Sequence, residues 1–586
     1  METYNFIFKR LLLLFRNDHL ILVILAIVVG TFAGAAVIGF REAISLIQLL
    51  LFGSGSERLF SSNFSLAWWH ILFVPLAGGV AVGLMVQFLM PNNRPEGVAD
   101  VIKASSNNGG HMSSKVGIIA VIISTISIGS GASVGREGPA VHLGASLASW
   151  FGRRLKLNNQ MMRTLLGCGV AAAVAASFNA PIAGTLFASE VVIGHYALRA
   201  FAPIVISSVA GTAISRVWFG DFPAFALAKT PLASFWEFPA FVTLGLTSGI
   251  VAIIFMQSIL LAQRLSQSTP IPIWTKPAMA GLIVGLCGLT FPEVLGVGYG
   301  ITENALLVKI PLTMLLVLAA VKIFATAVSL GWGFGGGVFS PSIVIGALSG
   351  GAFGILVTNL FPEYSSGPAA YTLIGMGAVA AAVLGAPIST TLIIFEMTGD
   401  YALMLGVMVA VVIASEITEQ IYGRSFFSIQ LKKQGVDLRD GFESEILHTT
   451  HLGQILKIDT ELVSPNISIS NLRLMLQNSK NGELFVVGDK KILLGTITLS
   501  DLSEFAFDNT IDDLLCANDV TKTKPLFLCK DDSLDTALKT LSKAEENRIA
   551  VVKDRNNLVF LGYVTKADVI NAYNQALLKS RHEERS

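Results

Sequence analysis

The sequence predicts an all-α, polytopic membrane domain with an inverted-topology repeat and broken helices, followed by a smaller cytoplasmic α/β domain. Three observations predict it. Of the 586 residues, 53% are hydrophobic and 14% charged, and the mean hydropathy is +0.65, too apolar for a soluble chain of this size. Charge is also segregated: the last 146 residues hold 38 of the 81 Asp, Glu, Lys and Arg residues, whereas all seven Trp and 49 of the 55 Gly precede residue 441. Finally, one interrupted apolar pattern occurs twice. We expect a membrane domain at 1–440, with halves at about 20–220 and 235–435, and a tail at 441–586 with paired units at about 447–507 and 516–577.

Lys9, Arg10 and Arg16 precede an apolar run from His19 to Gly39. The run is long for a signal peptide and many spans follow it, so it reads as a retained first helix with a cytoplasmic N-terminus. A soluble tail on the same side requires an even number of crossings. Apolar segments then recur at 66–90, 116–129, 161–178, 199–217, 237–262, 276–291, 311–330, 338–361, 371–384 and 402–417. Several fall short of the roughly 20 residues that span a bilayer. Gly or Pro breaks the pattern at 129–139, 180–184, 333–341 and 385–387. Broken helices at membrane depth are tolerated where the freed backbone lines a cavity.

The halves match in detail. Pro181 in "NAPIAGTLFASEV" is followed nine residues later by Glu190, and Pro387 in "GAPISTTLIIFEM" nine residues later by Glu396. Upstream lie "GREGP" (135–139) and "GGGVFSP" (335–341), with proline-to-proline distances of 42 and 46 residues. Such interruptions at matching places in two halves point to a transport site between them.

Both upstream motifs read as loops entering helices. A helix N-terminus offers free N–H groups and about half a positive charge. Glycine lets the backbone approach a ligand, and proline suits a first helical turn. Two N-termini meeting at the midplane, with Gly135, Arg136 and Gly138 on one, attract a small anion weakly enough to release it. Between Val116 and Gly152 only Arg136 and Glu137 are charged. Adjacent helical residues do not face each other, which argues against a simple ion pair. An intramembrane acid is a functional residue by default. Ionised, Glu137 occupies the anion's place; protonated, it releases it, and so acts as a gate.

The tail repeats as well. "LLGTITLSDL" (493–502) and "FLGYVTKADV" (560–569) each follow a β-rich run, at 483–488 and 548–552. An amphipathic helix precedes each run, near 469–478 and 534–544. The order is strand–helix–strand–strand–helix, twice.

On "GSGASVGREGP" (129–139), "GGGVFSP", "NAPIAGTLFASE" and "GAPISTTLIIFEMT" (385–398), the chain over about 20–435 resembles the CLC family of chloride channels and proton-coupled chloride transporters. The tail resembles paired cystathionine-β-synthase (CBS) domains. The resemblance implies a homodimer with one pore per subunit, Glu137 as the external gating glutamate, and Val338 and Phe339 amides holding the central anion. Three positions depart from the family pattern. The serine of the family's first anion motif is Glu96, followed by Gly97; an ionised Glu96 repels an anion unless it is neutral, turned away or engaged by a cation. The tyrosine that caps the anion is Phe427, which donates no hydrogen bond. The inner proton-transfer glutamate is Val191, beside Glu190, leaving Glu190 and Glu137 as candidate proton carriers. In the tail, Thr498, Asp501, Thr565 and Asp568 fit the family's adenosine-binding pattern, with an adenine nucleotide as the one candidate cofactor.

The expected function is gated chloride or small-anion transport across a bacterial inner membrane, leaning to a passive or weakly proton-coupled channel. The alternatives are a proton-coupled chloride antiporter and, more distantly, a CBS-regulated cation transporter. The net charge of +1 and a tail with 17 basic and 21 acidic residues argue against nucleic acid. The four cysteines are scattered without metal-ligand spacing, and His142 and His195 read as packing or pore-periphery residues. No enzyme motif or catalytic constellation is present.

Overall fold

The structure, a computed structural model, describes residues 18–56, 58, 60, 67–194, 198–221, 233–399, 403–436, 450–479, 482–502, 515–521, 525–542, 547–555 and 557–585. His195 lies outside the described residues, as does the stretch 437–449 around the expected boundary. The chain divides into two compact units, Met1–Asp437 and Leu438–Ser586.

The first unit is helical throughout its described length, apart from one two-residue bridge. Eight helices form its first half: α1 (Asp18–Phe52), α2 (Trp68–Leu89), α3 (Val98–Asn107), α4 (Ser114–Gly129), α5 (Glu137–Arg154), α6 (Asn159–Phe178), α7 (Pro181–Phe187) and α8 (Leu198–Phe219). A π-helical turn, Ala188–Ile193, extends α7. The second half repeats the series as α9 (Phe238–Ser268), α10 (Thr275–Thr290), α11 (Tyr299–Leu306), α12 (Leu312–Gly331), α13 (Phe339–Leu360), α14 (Pro368–Leu384), α15 (Pro387–Thr398) and α16 (Met404–Ile421), with α17 (Phe426–Lys433) appended. Among the described residues, eight helical stretches are long and apolar enough to cross a membrane.

The repeat is visible in the packing. α5 packs on α6 as α13 packs on α14, α6 on α8 as α14 on α16, and α1 on α8 as α9 on α16. Glycines set the closest approaches. A Cβ at Gly144 would lie 2.2 Å from the Gly169 carbonyl oxygen, and one at the equivalent Gly346 would lie 2.4 Å from that of Gly375. Helix α6 is a stripe of Ala and Gly buried on all sides, from Leu165 to Phe178, and α14 is its counterpart. A span buried all round needs small residues on every face, because in lipid helices associate by close packing. Both end in the left-handed region, at Asn179 (φ 58°) and Gly385 (φ 67°), which turns the chain into the Pro-led helices α7 and α15.

The tail holds two three-stranded sheets, each with one parallel and one antiparallel pairing: β1 (Leu462–Val463), β2 (Glu483–Val487) and β3 (Leu493–Thr498), then β4 (Phe527–Cys529), β5 (Arg548–Val552) and β6 (Phe560–Thr565). Helix α18 (Ile469–Asn478) crosses from β1 to β2 and α20 (Leu534–Leu541) from β4 to β5, with α19 (Ala517–Val520) before β4 and α21 (Lys566–Arg585) after β6. The modules exchange their ends. Leu452 sits in the core of the second module, where Lys457 bridges Tyr563, and Ala517 sits in the core of the first. Phe485, Phe560 and Tyr563 form an aromatic cluster between the sheets.

Candidate functional site

The two Gly-rich loops meet. Gly135 and Gly337 donate to each other's carbonyl oxygens at 2.8 Å, a two-residue antiparallel bridge that joins the halves in front of α5 and α13. A Cβ on Gly138 would lie 3.1 Å from Gly337 Cα and 3.8 Å from Val98 Cγ2. Three helix N-termini, those of α3, α5 and α13, therefore converge where a side chain at Gly138 would press against Gly337. The first N–H groups of each helix have no acceptor within it, and their partial positive charges add.

Glu137 opens α5 and is 1% exposed. Its carboxylate reaches across to the other half: Ser340 Oγ donates to Oε1 at 2.5 Å and Ser340 N–H to Oε2 at 3.3 Å. Tyr299 Oη donates to Oε1 at 3.2 Å. Arg136 at the N-cap approaches to 3.9 Å and lies over the Tyr299 ring, 4.8 Å from its centroid. The neighbouring guanidinium thus does approach Glu137, because Arg136 precedes the helix proper, while Ser340 and Tyr299 donate hydrogen bonds to the carboxylate. The carboxylate occupies the N-terminus of α13, where Val338 and Phe339 are buried and Phe339 packs against Phe178 and Phe187. Lys322, a fully buried lysine on α12, donates to the Val294 and Gly296 carbonyls at 2.9 Å, in the segment that leads to Tyr299.

Glu96 is engaged: its Oε2 lies 3.2 Å from Nε2 of His142, which is 1% exposed on α5. The sequence reading of His142 as a packing or peripheral residue missed this pairing, which links positions 46 apart. Gly97 caps α3, and its N–H is taken by Asp100 Oδ2 at 2.9 Å, with Arg94 closing on the same carboxylate. Phe427 is buried in the first turn of α17, whose helix packs against α3 and α14.

Glu190 sits elsewhere. Its two oxygens accept the N–H groups of Ile388 (3.1 Å) and Ser389 (2.8 Å) at the start of α15. Glu396 returns the arrangement, accepting from Ile182 (3.1 Å) and Ala183 (2.7 Å) at the start of α7. Each half caps a short helix of the other. Val191 follows in the π-helical turn.

In the tail, the candidate nucleotide residues bond to one another. Thr498 Oγ1 donates to Asp501 at 2.7 Å, and Thr565 Oγ1 to Asp568 at 2.6 Å. Lys457 adds a 2.7 Å ion pair to Asp568. Burial pushes the Asp568 carboxyl up, but the Lys457 ammonium and the Thr565 hydroxyl and amide outweigh it and hold it below the usual range.

A twice-repeated apolar bundle whose broken helices aim their N-termini at one carboxylate defines a membrane transport protein with an anion-attracting midplane. Residues 78–419 match the family described as voltage gated chloride channel, and the chain belongs to that family, whose members transport chloride and are not enzymes. Residues 517–575 match the CBS domain family. A ClcB-like protein of Ralstonia nicotianae is 35% identical over 387 residues, covering 65% of this chain and 90% of that protein. The voltage-gated ClC-type chloride channel ClcB of Escherichia coli O17:K52:H18 is 32% identical over 409 residues, covering 69% of this chain and 97% of the relative. Among solved structures, a slow cyanobacterial Cl−/H+ antiporter matches with a TM-score of 0.63 at 22% identity, over 70% of this chain and 97% of that one. A eukaryotic CLC transporter matches with a TM-score of 0.61 at 18% identity, over 93% of this chain and 97% of that one. Both likenesses show the fold of the membrane domain, and the second extends over the tail as well.

Ser340 and Tyr299 were not singled out from the sequence. Ser340 lies inside the quoted "GGGVFSP", where a hydroxyl beside two helix-terminal amides was the available signal. Tyr299 in "GVGYG" carries none.

Proposed function

We propose that this CLC-family chain carries chloride passively or with weak proton coupling, with Glu137 as the gate. The observation that carries the first part is the commitment of Glu190. The inner relay position is Val191, which holds no proton, and the adjacent carboxylate has both oxygens on the Ile388 and Ser389 amides. Both oxygens therefore already serve as acceptors for helix-terminal amides, the same structural capping that Glu396 performs in the other half. The second part rests on Glu137. It occupies the place at the α13 N-terminus where an anion would meet the Val338, Phe339 and Ser340 amides, so chloride and carboxylate compete for one set of donors. Protonation removes the charge that holds the side chain there.

We further read both termini as cytoplasmic in a bacterial inner membrane and the active form as a homodimer. The short helices α7 and α15 leave Ile182 and Ile388 about half exposed, as an apolar partner surface requires. Adenine nucleotide binding at Thr498, Asp501, Thr565 and Asp568 requires Asp501 and Asp568 to leave their present threonine partners for a ribose. Liposome flux tests the transport reading. With a chloride gradient imposed, chloride moves and no uphill proton movement accompanies it at a fixed ratio. Stoichiometric uphill proton movement that stops in Glu137→Gln overturns it in favour of the antiporter.

A further inference from the structure

The fold leaves one ionisable pair beside the anion path without a task. Glu96 immediately precedes the Gly97 cap of α3, whose first residue, Val98, neighbours Gly138 and Gly337 where the three N-termini converge. A lone carboxylate here repels the anion that the helix ends attract; at an effective dielectric of about 20, two unit charges some 6 Å apart disfavour each other by more than tenfold in binding. His142 removes that repulsion only while it carries a proton. Its Nε2 faces Glu96 at 3.2 Å, and its Nδ1 is buried with no hydrogen-bond partner among the described residues. The ring thus has Glu96 as its one polar partner and a second nitrogen buried without one among the described residues. Glu96 remains 18% exposed, which gives the pair a route to water.

We propose that Glu96 and His142 form a proton-binding site that sets anion occupancy: one proton shared across the pair cancels the Glu96 charge and admits chloride, and its loss leaves a bare carboxylate that expels it. The inference rests on the reading of the converging helix ends as the chloride path and names the group through which protons act there without being carried in fixed ratio.

On α5 itself the ionisable neighbours are Arg136 and Glu137 toward the N-terminus and Arg153 and Arg154 at the far end. Around α3, Asp100 is closed by Arg94 and the Gly97 amide, and Lys103 lies further along the helix. Against α3 pack the π-helical turn, which brings Glu190 on the Ile388 and Ser389 amides, and α17, which brings Lys432 and Lys433; α1 also carries Asp18 and His19 at its start. Packed against α5 from other sides, α4 brings Lys115, α6 brings Arg163 and Cys168, and α1 brings Arg41 and Glu42. Of these, Arg163 donates to the Ser106 carbonyl, Glu42 accepts from Trp218 and Arg41 lies over Phe219. Helix α13 brings no ionisable residue.

Chloride binding by calorimetry across about pH 5 to 8, the window in which histidine side chains ordinarily change charge, tests the proposal. All variants carry Glu137→Gln so that the gate's own titration drops out. In that background chloride affinity falls about tenfold toward the alkaline end. Adding Glu96→Gln removes the pH dependence and fixes affinity at the tight level. Adding His142→Gln instead weakens binding at neutral pH about tenfold, and combining the two restores the tight, flat profile. A flat profile in the Glu137→Gln protein, or the same slope with Glu96→Gln added, overturns the proposal while leaving the gate reading intact. No gain in chloride affinity from Glu137→Gln itself sinks the gate reading and leaves the pair's slope to be read separately. Absence of chloride binding in every variant sinks both.

Discussion

Two sets of equivalent positions in the halves behave in opposite ways. Glu190 and Glu396 occupy matching places and do matching work, each accepting two backbone N–H groups from the short helix of the opposite half. The loops before α5 and α13 also match and meet in a symmetric bridge. There the symmetry stops. One loop supplies a carboxylate, Glu137, and the other a hydroxyl and an amide, both from Ser340, that receive it. The repeat is kept where it holds the bundle together and broken at Glu137, the residue we propose as the gate. Two carboxylates facing each other at the midplane would repel, and two hydroxyls would leave nothing to respond to protons or anions.

The largest expected effect breaks the symmetric pair. Removing either cap leaves two helix-terminal N–H groups without acceptors, at about 2 kcal/mol for a half-buried site. Glu190→Ala and Glu396→Ala should lower the thermal midpoint in detergent by similar amounts. If Glu190→Ala leaves stability untouched and alters proton movement instead, Glu190 is a carrier and the comparison fails. The next effect sharpens the asymmetric pair. A hydrogen bond to a charged group contributes about 1.5 kcal/mol, or about tenfold. Ser340→Ala should therefore weaken the hold on Glu137 and lower the chloride concentration for half-maximal flux by about tenfold. An unchanged value would show that the hydroxyl does not restrain the gate.

The smallest effect compares the two tail modules. Both threonine–aspartate pairs are alike, and Asp568 carries an ion pair from Lys457 as well. Asp568 is held below its usual range, so its contribution is present above the unfolded carboxyl value near pH ~3.9 and lost as pH falls through the lower folded value. The hydrogen bond from Lys457 to Asp568 raises the lysine, so its contribution is present below about pH 10.4 and lost as pH rises through the higher folded value. Lys457→Ala should cost the tail about 0.5 kcal/mol at neutral pH and nothing at strongly acidic pH. Urea unfolding of the full chain followed by a tail probe reads this, and an equal loss at both pH values would contradict it.

The architecture was legible because it rests on local signals. Proline and glycine positions marked the breaks at 129–139, 180–184, 333–341 and 385–387, and repetition marked the two halves. In the tail, the helices at 469–478 and 534–541 and the strands that follow them were readable from periodicity. The gate loop was legible because one charged pair stands in an apolar stretch. What stayed hidden were partnerships across long separations: Ser340 with Glu137 at 203 residues, Glu190 with Ile388 at 198, and His142 with Glu96 at 46. A hydroxyl, an amide and a lone histidine carry no spacing signature; their partners follow only from the packing of helices distant in sequence. The exchange of end segments between the tail modules was invisible for the same reason.

The central claim is a chloride path gated by Glu137 without an inner proton relay. Its most direct test is the reversal potential of the reconstituted protein under opposed chloride and proton gradients. The account predicts a reversal potential that follows the chloride gradient and shifts little when the proton gradient is changed. A reversal potential that moves with both gradients in a fixed ratio would contradict it.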